Sequence, residues 1–202
     1  MIKLLKVLVF VLCLVPLFLL IWGALTNSLG ANIQEALTHG TGDWILRFLV
    51  LTLSVTPLRR LTGWNAVTRF RRMFGLFAFF YACLHFAIYC LSIANLNLAE
   101  IGTDIAKRPY VTVGFTGFVL MIPLAITSTK KWIGRLGGKR WQMLHRLVYV
   151  SAIAGVLHYF WLVKLDITLP TRYAIVIGLL LLFRVWTAIR SRQAVTQQLS
   201  GG

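Results

Sequence analysis

Stretches of apolar residues long enough to cross a bilayer recur along this chain, separated by short basic or nearly neutral connections. A spanning helix takes about 20 mostly apolar residues, because lipid offers no partner to an exposed backbone N–H or C=O. The 202 residues therefore have room for about six spans and short loops. With 58% hydrophobic and 13% charged residues, a soluble domain would lack the polar surface it needs. The expected fold is an all-α membrane protein, a six-transmembrane helix bundle forming one domain over residues 1–202. The spans are expected at about 7–25, 44–58, 73–94, 110–127, 141–163 and 172–189.

Charge placement sets the orientation. Basic residues fall at Lys3 and Lys6, in the second connection (Arg59, Arg60, Arg69, Arg71, Arg72), in the fourth (Lys130, Lys131, Arg135, Lys139, Arg140) and in the tail (Arg190, Arg192). The segment Thr26 to Asp43 is turn-rich and carries no Lys or Arg, so it reads as a loop containing His39. Asn95 to Pro109 is mixed in charge, and a short turn carries Lys164, Asp166 and Pro170. The positive-inside rule then puts both termini in the cytoplasm of a multi-pass inner-membrane protein. Arg184, about one turn short of the basic tail, is expected to snorkel to the inner surface. The net charge of +16 sits in short runs beside an anionic leaflet, not along one polar face, which excludes nucleic acid as a partner and leaves the lipid bilayer. The run Val7 to Leu25 after Lys3 and Lys6 lacks a clear small-residue cleavage site and reads as an uncleaved first span. Cys13, Cys83 and Cys90 contain no CxxC pair and read as small buried hydrophobes.

Three of the four histidines lie in apolar spans: His85 in the third, His145 and His158 in the fifth. Ionisable groups inside a membrane are costly and face a partner, a cavity or a cofactor. His85 lies 13 residues above Arg72, about 20 Å at 1.5 Å per residue, and His158 reaches a similar height above Arg140. Two neutral imidazoles at one level on two parallel helices can clamp a haem from both faces, which suits electron transfer because no coordination position stays open. The expected haem site thus lies between the third and fifth spans, with His85 and His158 as its axial ligands. His145 lies near the inner face and about 140° around an ideal helix from His158, so sharing a face requires the helix to deform, with Gly155 the candidate bend. Arg47, near the outer end of the second span, is a candidate partner for a haem propionate. No HExxH, GxSxG, GxGxxG or P-loop occurs, so neither hydrolytic chemistry nor a nucleotide-binding fold is expected.

Several stretches carry a resemblance: Thr56-Pro57-Leu58-Arg59, Arg71-Arg72 with Gly75-Leu76, Tyr81 to His85, Trp141 to Leu147 with Leu144-His145-Arg146-Leu147 at its centre, and His158-Tyr159. In this order they resemble the ferric-reductase-like transmembrane superfamily over nearly the whole chain. Within it, they resemble most closely the haem-binding membrane subunits of bacterial periplasmic methionine sulfoxide reductase systems. The resemblance implies b-type haem, one or two, and flavin mononucleotide (FMN). It also implies electrons drawn from the quinone pool or a cytoplasmic flavin reductase. They pass to a periplasmic molybdenum-cofactor methionine sulfoxide reductase catalytic subunit that repairs oxidised envelope proteins. The chain is then an electron-transfer subunit of an oxidoreductase complex rather than the catalytic subunit. Wider superfamily members carry two histidines on each of two helices, whereas the position 14 residues before His85 is Arg71. The inner site formed by His145, Arg71, Arg72 and Arg146 is accordingly expected to bind an inner haem, a flavin or a quinone, with electron entry favoured over a second bis-histidine haem. Two other classes fit six spans: a small transporter or channel with a histidine-lined path, and a purely structural assembly subunit.

Overall fold

The computed structural model describes residues 2–93, 95–163 and 165–200, with backbone only for Ser92, Ile93, Arg192 and residues 194–200. Ala94, expected to end the third span, Lys164 and the Arg192 side chain lie outside the described residues. Regular structure among the described residues is entirely helical: α1 (Ile2–Leu25), α2 (Ile33–Thr62), α3 (Thr68–Ile88), α4 (Leu98–Lys107), α5 (Pro109–Ile126), α6 (Lys130–Leu136), α7 (Gly138–Leu144), α8 (Leu147–Leu162) and α9 (Thr168–Ser200). Five stretches are long and apolar enough to cross a membrane: Ile2–Leu25, Asn65–Leu91, Pro109–Ile126, Gly138–Leu162 and Thr168–Ser191. The sixth long helix, α2, is less apolar yet the most enclosed. Its Leu46, Phe48, Leu49, Leu53 and Val55 are buried, and it packs on α3 along its length while touching α1, α8 and α9. A helix screened from lipid by its neighbours has no need of an apolar circumference, which is why the sequence shows only a short, interrupted span there. Below, the end carrying Arg59, Arg60, Arg71 and Arg72 is the basic end, and the opposite one the distal end.

The connections are more helical than their composition suggests. Residues 33–43, read as loop, form the first turns of α2, so His39 stands exposed on a helix, 3.8 Å from Glu35. Asn32 starts this helix: its Oδ1 accepts from the Glu35 N–H at 3.1 Å while its Nδ2 donates to the Glu35 carboxylate at 3.0 Å, satisfying groups that a helix start leaves unpaired. Gly40 and Gly42, which look like turn signals, are points of close approach instead. A Cβ on Gly40 would lie 2.6 Å from Leu20, and one on Gly42 3.2 Å from the His85 ring. Asn97 caps α4 and Thr129 caps α6 in the same manner. Elements of seven to ten residues are too short to show a periodicity in sequence.

Proline interrupts three of the long helices, at Pro16, Pro57 and Pro123, and beside the first two a polar side chain from another helix supplies hydrogen bonds to the backbone. In α1, beside Pro16, the Tyr81 hydroxyl of α3 accepts from the Leu17 N–H and donates to the Cys13 carbonyl, both at 3.0 Å. These two groups would pair directly in a straight helix. In α2, Pro57 has no N–H to give the Leu53 carbonyl. Arg184 of α9 supplies the donor at 3.0 Å and also donates to the Tyr149 hydroxyl at 2.8 Å. Arg184 is therefore turned into the bundle, not snorkelled outward, because the backbone acceptor left by Pro57 lies within its reach. The fifth span is likewise two helices. It deforms at His145–Arg146, between α7 and α8, and not at Gly155, which packs against Leu46.

The Arg184–Leu53 bond should therefore matter only while Pro57 is present. Arg184→Met should cost about 1–3 kcal/mol of stability in the wild-type chain, since it strands a buried acceptor. In a Pro57→Ala background the restored N–H takes that acceptor, and the cost should shrink by roughly 0.5–3 kcal/mol of coupling. Unfolding of the four proteins in detergent checks this; equal costs in both backgrounds would refute the pairing.

Candidate functional site

Helices α2, α3, α5 and α8 surround a cavity of about 230 Å³ in the distal half of the bundle. Its interior wall is apolar (Leu46, Leu49, Phe118, Met121), and its polar lining gathers toward the distal end (Thr38, Asp43, Tyr89, Arg108, Tyr110). Ser151, buried on α8, also lines it, and its hydroxyl has no partner among the described residues.

His85 and His158 face each other across this space, ring centroids 6.1 Å apart and planes at 89°. Each ring is held in one way. The His85 Nδ1 lies 3.0 Å from the Thr38 carbonyl on α2, and the His158 Nδ1 lies 2.7 Å from the Tyr110 carbonyl on α5. A carbonyl can only accept, so Nδ1 carries the proton in both rings and Nε2 keeps its lone pair. Thr41 Oγ1, 3.3 Å from the His85 Nδ1, adds a second contact on that side. The residue four positions after each carbonyl is glycine. A Cβ on Gly42 would come within 3.2 Å of the His85 ring, and one on Gly114 within 2.5 Å of the His158 Nδ1. Each imidazole thus lies in a glycine notch on the helix facing it and donates to the carbonyl one turn earlier. This is the arrangement that fixes a ligating histidine: one ring nitrogen donated to a carbonyl, the other left as the donor atom. Two imidazoles binding one metal ion from opposite sides at about 2.0 Å put their centroids roughly 6 Å apart, close to what is observed.

At the distal mouth two ion pairs stand near the histidines. Arg47 pairs with Asp43, contacts the Tyr173 hydroxyl at 3.4 Å and lies over the Trp44 ring at 4.5 Å, and it is not among the residues lining the cavity. Arg108, which does line it, bonds through Nε to Asp104 at 3.1 Å. Asp104 is buried and also accepts the Tyr89 hydroxyl at 2.9 Å. Hydrogen bonding to Tyr110 and the charge of Asp104 raise the Arg108 pKa above its ordinary value.

His145 belongs to another neighbourhood. Its Nε2 is 3.0 Å from Thr127 Oγ1, whose own proton goes to the Pro123 carbonyl, so Nε2 donates and Nδ1 is bare. Trp141 stacks on the ring at 3.9 Å and donates Nε1 to the Thr127 carbonyl at 2.9 Å. Arg71 lies within charge–charge range of both His145 and Arg184, whereas Arg72 and Arg146 are exposed. The structure therefore brings His85 and His158 together, keeps His145 with Arg71 at the basic end, and puts Arg47 beside Asp43. The sequence reading missed Arg108, the two positioning carbonyls and the glycine notches. A glycine opposite an intramembrane histidine was the available signal, but choosing it required the helix pairing.

Comparison with known proteins identifies the family. A family described as ferric reductase like transmembrane component matches residues 40–156, a range that includes His85 and His145 and stops two residues before His158. A protein of Herminiimonas arsenicoxydans is 51% identical over 94% of this chain and 88% of its own length. One of Ralstonia nicotianae is 52% identical over 90% and 84%, and one of Rhodospirillum rubrum 48% identical over 94% and 91%. Each of the three relatives is named protein-methionine-sulfoxide reductase heme-binding subunit MsrQ.

The notch on α5 gives a direct test of the histidine geometry. Gly114→Ala should drive the His158 ring off the Tyr110 carbonyl and lower stability by about 1–3 kcal/mol, the cost of overpacking. Gly102→Ala on α4, where a Cβ meets nothing within 4 Å, should be neutral or stabilising by about 0.5–1 kcal/mol. Thermal unfolding in detergent compares them, and equal effects would contradict the notch.

Proposed function

Since the chain belongs to the ferric-reductase-like transmembrane family, we propose that it is a b-type haem electron-transfer subunit of a membrane methionine sulfoxide reductase system. One observation carries the reading: the two imidazoles of α3 and α8 line one cavity with ring centroids 6.1 Å apart, each with Nδ1 committed to a carbonyl, which leaves the lone pair on Nε2. The names of the relatives, all haem-binding subunits, point the same way. The residues fit the group. The donor set is two neutral imidazoles about one ion's width apart, the surrounding wall is apolar but for Ser151, and charged side chains collect at one end. A haem iron held there supplies one-electron transfer without an open position for substrate.

The chain's own contribution is positional. Thr38 and Tyr110 hold the imidazoles in the ligating tautomer, and the glycine notches set their height. Leu46, Leu49, Phe118 and Met121 keep water from the cavity's interior. With the basic end in the cytoplasm of the bacterial inner membrane, this haem lies on the periplasmic side, near a molybdenum-containing catalytic subunit. His145, Arg71, Arg72 and Arg146 then form the electron-entry side, facing the quinone pool or a flavin reductase. A guanidinium group beside a histidine there suits a quinone headgroup or the phosphate of FMN.

His85→Ala and His158→Ala should each abolish or strongly diminish the low-spin haem absorption of the purified protein. His145→Ala should keep most of it and slow reduction from the cytoplasmic side. A normal spectrum in both of the first two variants would sink the ligand assignment. Equal loss in the third would put His145 in the same haem site. The chain alone should not oxidise NADH or NADPH; adding a flavin reductase should restore reduction, and stoichiometric NADPH oxidation by the pure protein would overturn this.

A further inference from the structure

We infer that Arg108 anchors a carboxylate of the porphyrin held between His85 and His158; this rests on the haem reading above. A porphyrin fixed by two axial imidazoles is still free to turn about that axis, and its edges differ: one carries two carboxylates and the opposite one is apolar. The cavity has the same polarity. Its charged side chains are at the distal mouth and its interior is apolar but for the Ser151 hydroxyl, so the carboxylates face the mouth. Arg108 is the one Lys or Arg among the described lining residues.

Its geometry suits the role. Buried Asp104, braced by the Tyr89 hydroxyl, takes the Arg108 Nε at 3.1 Å, and of the five guanidinium N–H donors those not used by Asp104 and Tyr110 remain for a further carboxylate. A guanidinium fork held at one edge meets a carboxylate with less ordering to lose than a free side chain. Two residues along the chain, the Tyr110 carbonyl positions His158, so one turn at the start of α5 sets both the axial ligand and the charge facing the carboxylate. Arg47 is at the same end, but its guanidinium is committed to Asp43 and Tyr173 over Trp44, and it would have to leave them to serve.

The test uses wild type, Arg108→Leu, Arg108→Lys and Arg47→Leu, each purified with its haem, and reads haem per chain and midpoint potential against pH. Arg108→Leu should keep the low-spin spectrum and shift the midpoint to lower potential at neutral pH, since an unpaired carboxylate beside the iron favours the ferric state. The sign of the pH dependence follows. Arg108 depresses the carboxylate's pKa, so the wild-type midpoint stays flat near neutrality. In Arg108→Leu that pKa rises, and the midpoint should climb as pH falls. Arg108→Lys and Arg47→Leu should stay near wild type. Loss of haem from Arg108→Leu but not from Arg108→Lys also supports the assignment. A wild-type midpoint in Arg108→Leu at every pH overturns it, as does an Arg108→Lys protein that shifts as far or loses its haem too. A wild-type chain without a haem band, or His85→Ala and His158→Ala proteins that keep one, would instead refute the haem reading.

Discussion

Inside a bilayer a backbone donor or acceptor that loses its helical partner has to find another within the protein, and this constraint organises the bundle. Pro16 and Pro57 each break a hydrogen-bond ladder, and each break is closed from a different helix, by Tyr81 and by Arg184. These bonds join helices whose apolar contacts alone would specify little, because lipid tails solvate leucine about as well as another helix does. The Thr56-Pro57-Leu58-Arg59 stretch can then be understood locally: the proline exposes a carbonyl, and a guanidinium more than a hundred residues later is drawn in to meet it.

The same economy governs the cavity. A buried imidazole has two nitrogens to satisfy, and the bundle satisfies one of each with the spare lone pair of a helix carbonyl. The ring must then lie against the next turn of that helix, where a Cβ would collide at Gly114 and crowd the ring at Gly42. Thr38 with Gly42, and Tyr110 with Gly114, are two instances of one device on antiparallel partners. What remains is two imidazoles on one cavity, each keeping its lone pair on Nε2. The site is thus a by-product of how the helices pair: α2 positions the histidine of α3, and α5 that of α8.

How legible this was depended on the length over which each signal extends. Apolar runs of about twenty residues and alternating basic connections showed the all-helical membrane fold. His85 and His158 stood out as ionisable groups at one depth, and the structure brings them edge to face, 6.1 Å apart. Signals confined to a few residues misled. Gly40 and Gly42 suggested turns although they mark contacts, the charges of α2 made a central helix look marginal, and Gly155 drew the bend away from His145–Arg146. Arg184 was assigned by its distance from the tail, a one-dimensional measure blind to the acceptor across the bundle. Glycine and proline act through their neighbours in space, so their meaning appeared only with the packing.

The Tyr81 hydroxyl also has a consequence for synthesis. It lies 64 residues after Leu17, so α1 enters the membrane well before the group that closes its ladder exists. At about 5–20 residues per second the interval is roughly 3–13 s. During it, the Cys13 carbonyl and the Leu17 N–H beside Pro16 lack the hydroxyl that bridges them in the finished bundle. The arrival of α3 is then the event that ties α1 to the bundle through its backbone, and a nascent chain stalled before Tyr81 would present the quality-control apparatus with a first span not yet joined to its neighbour.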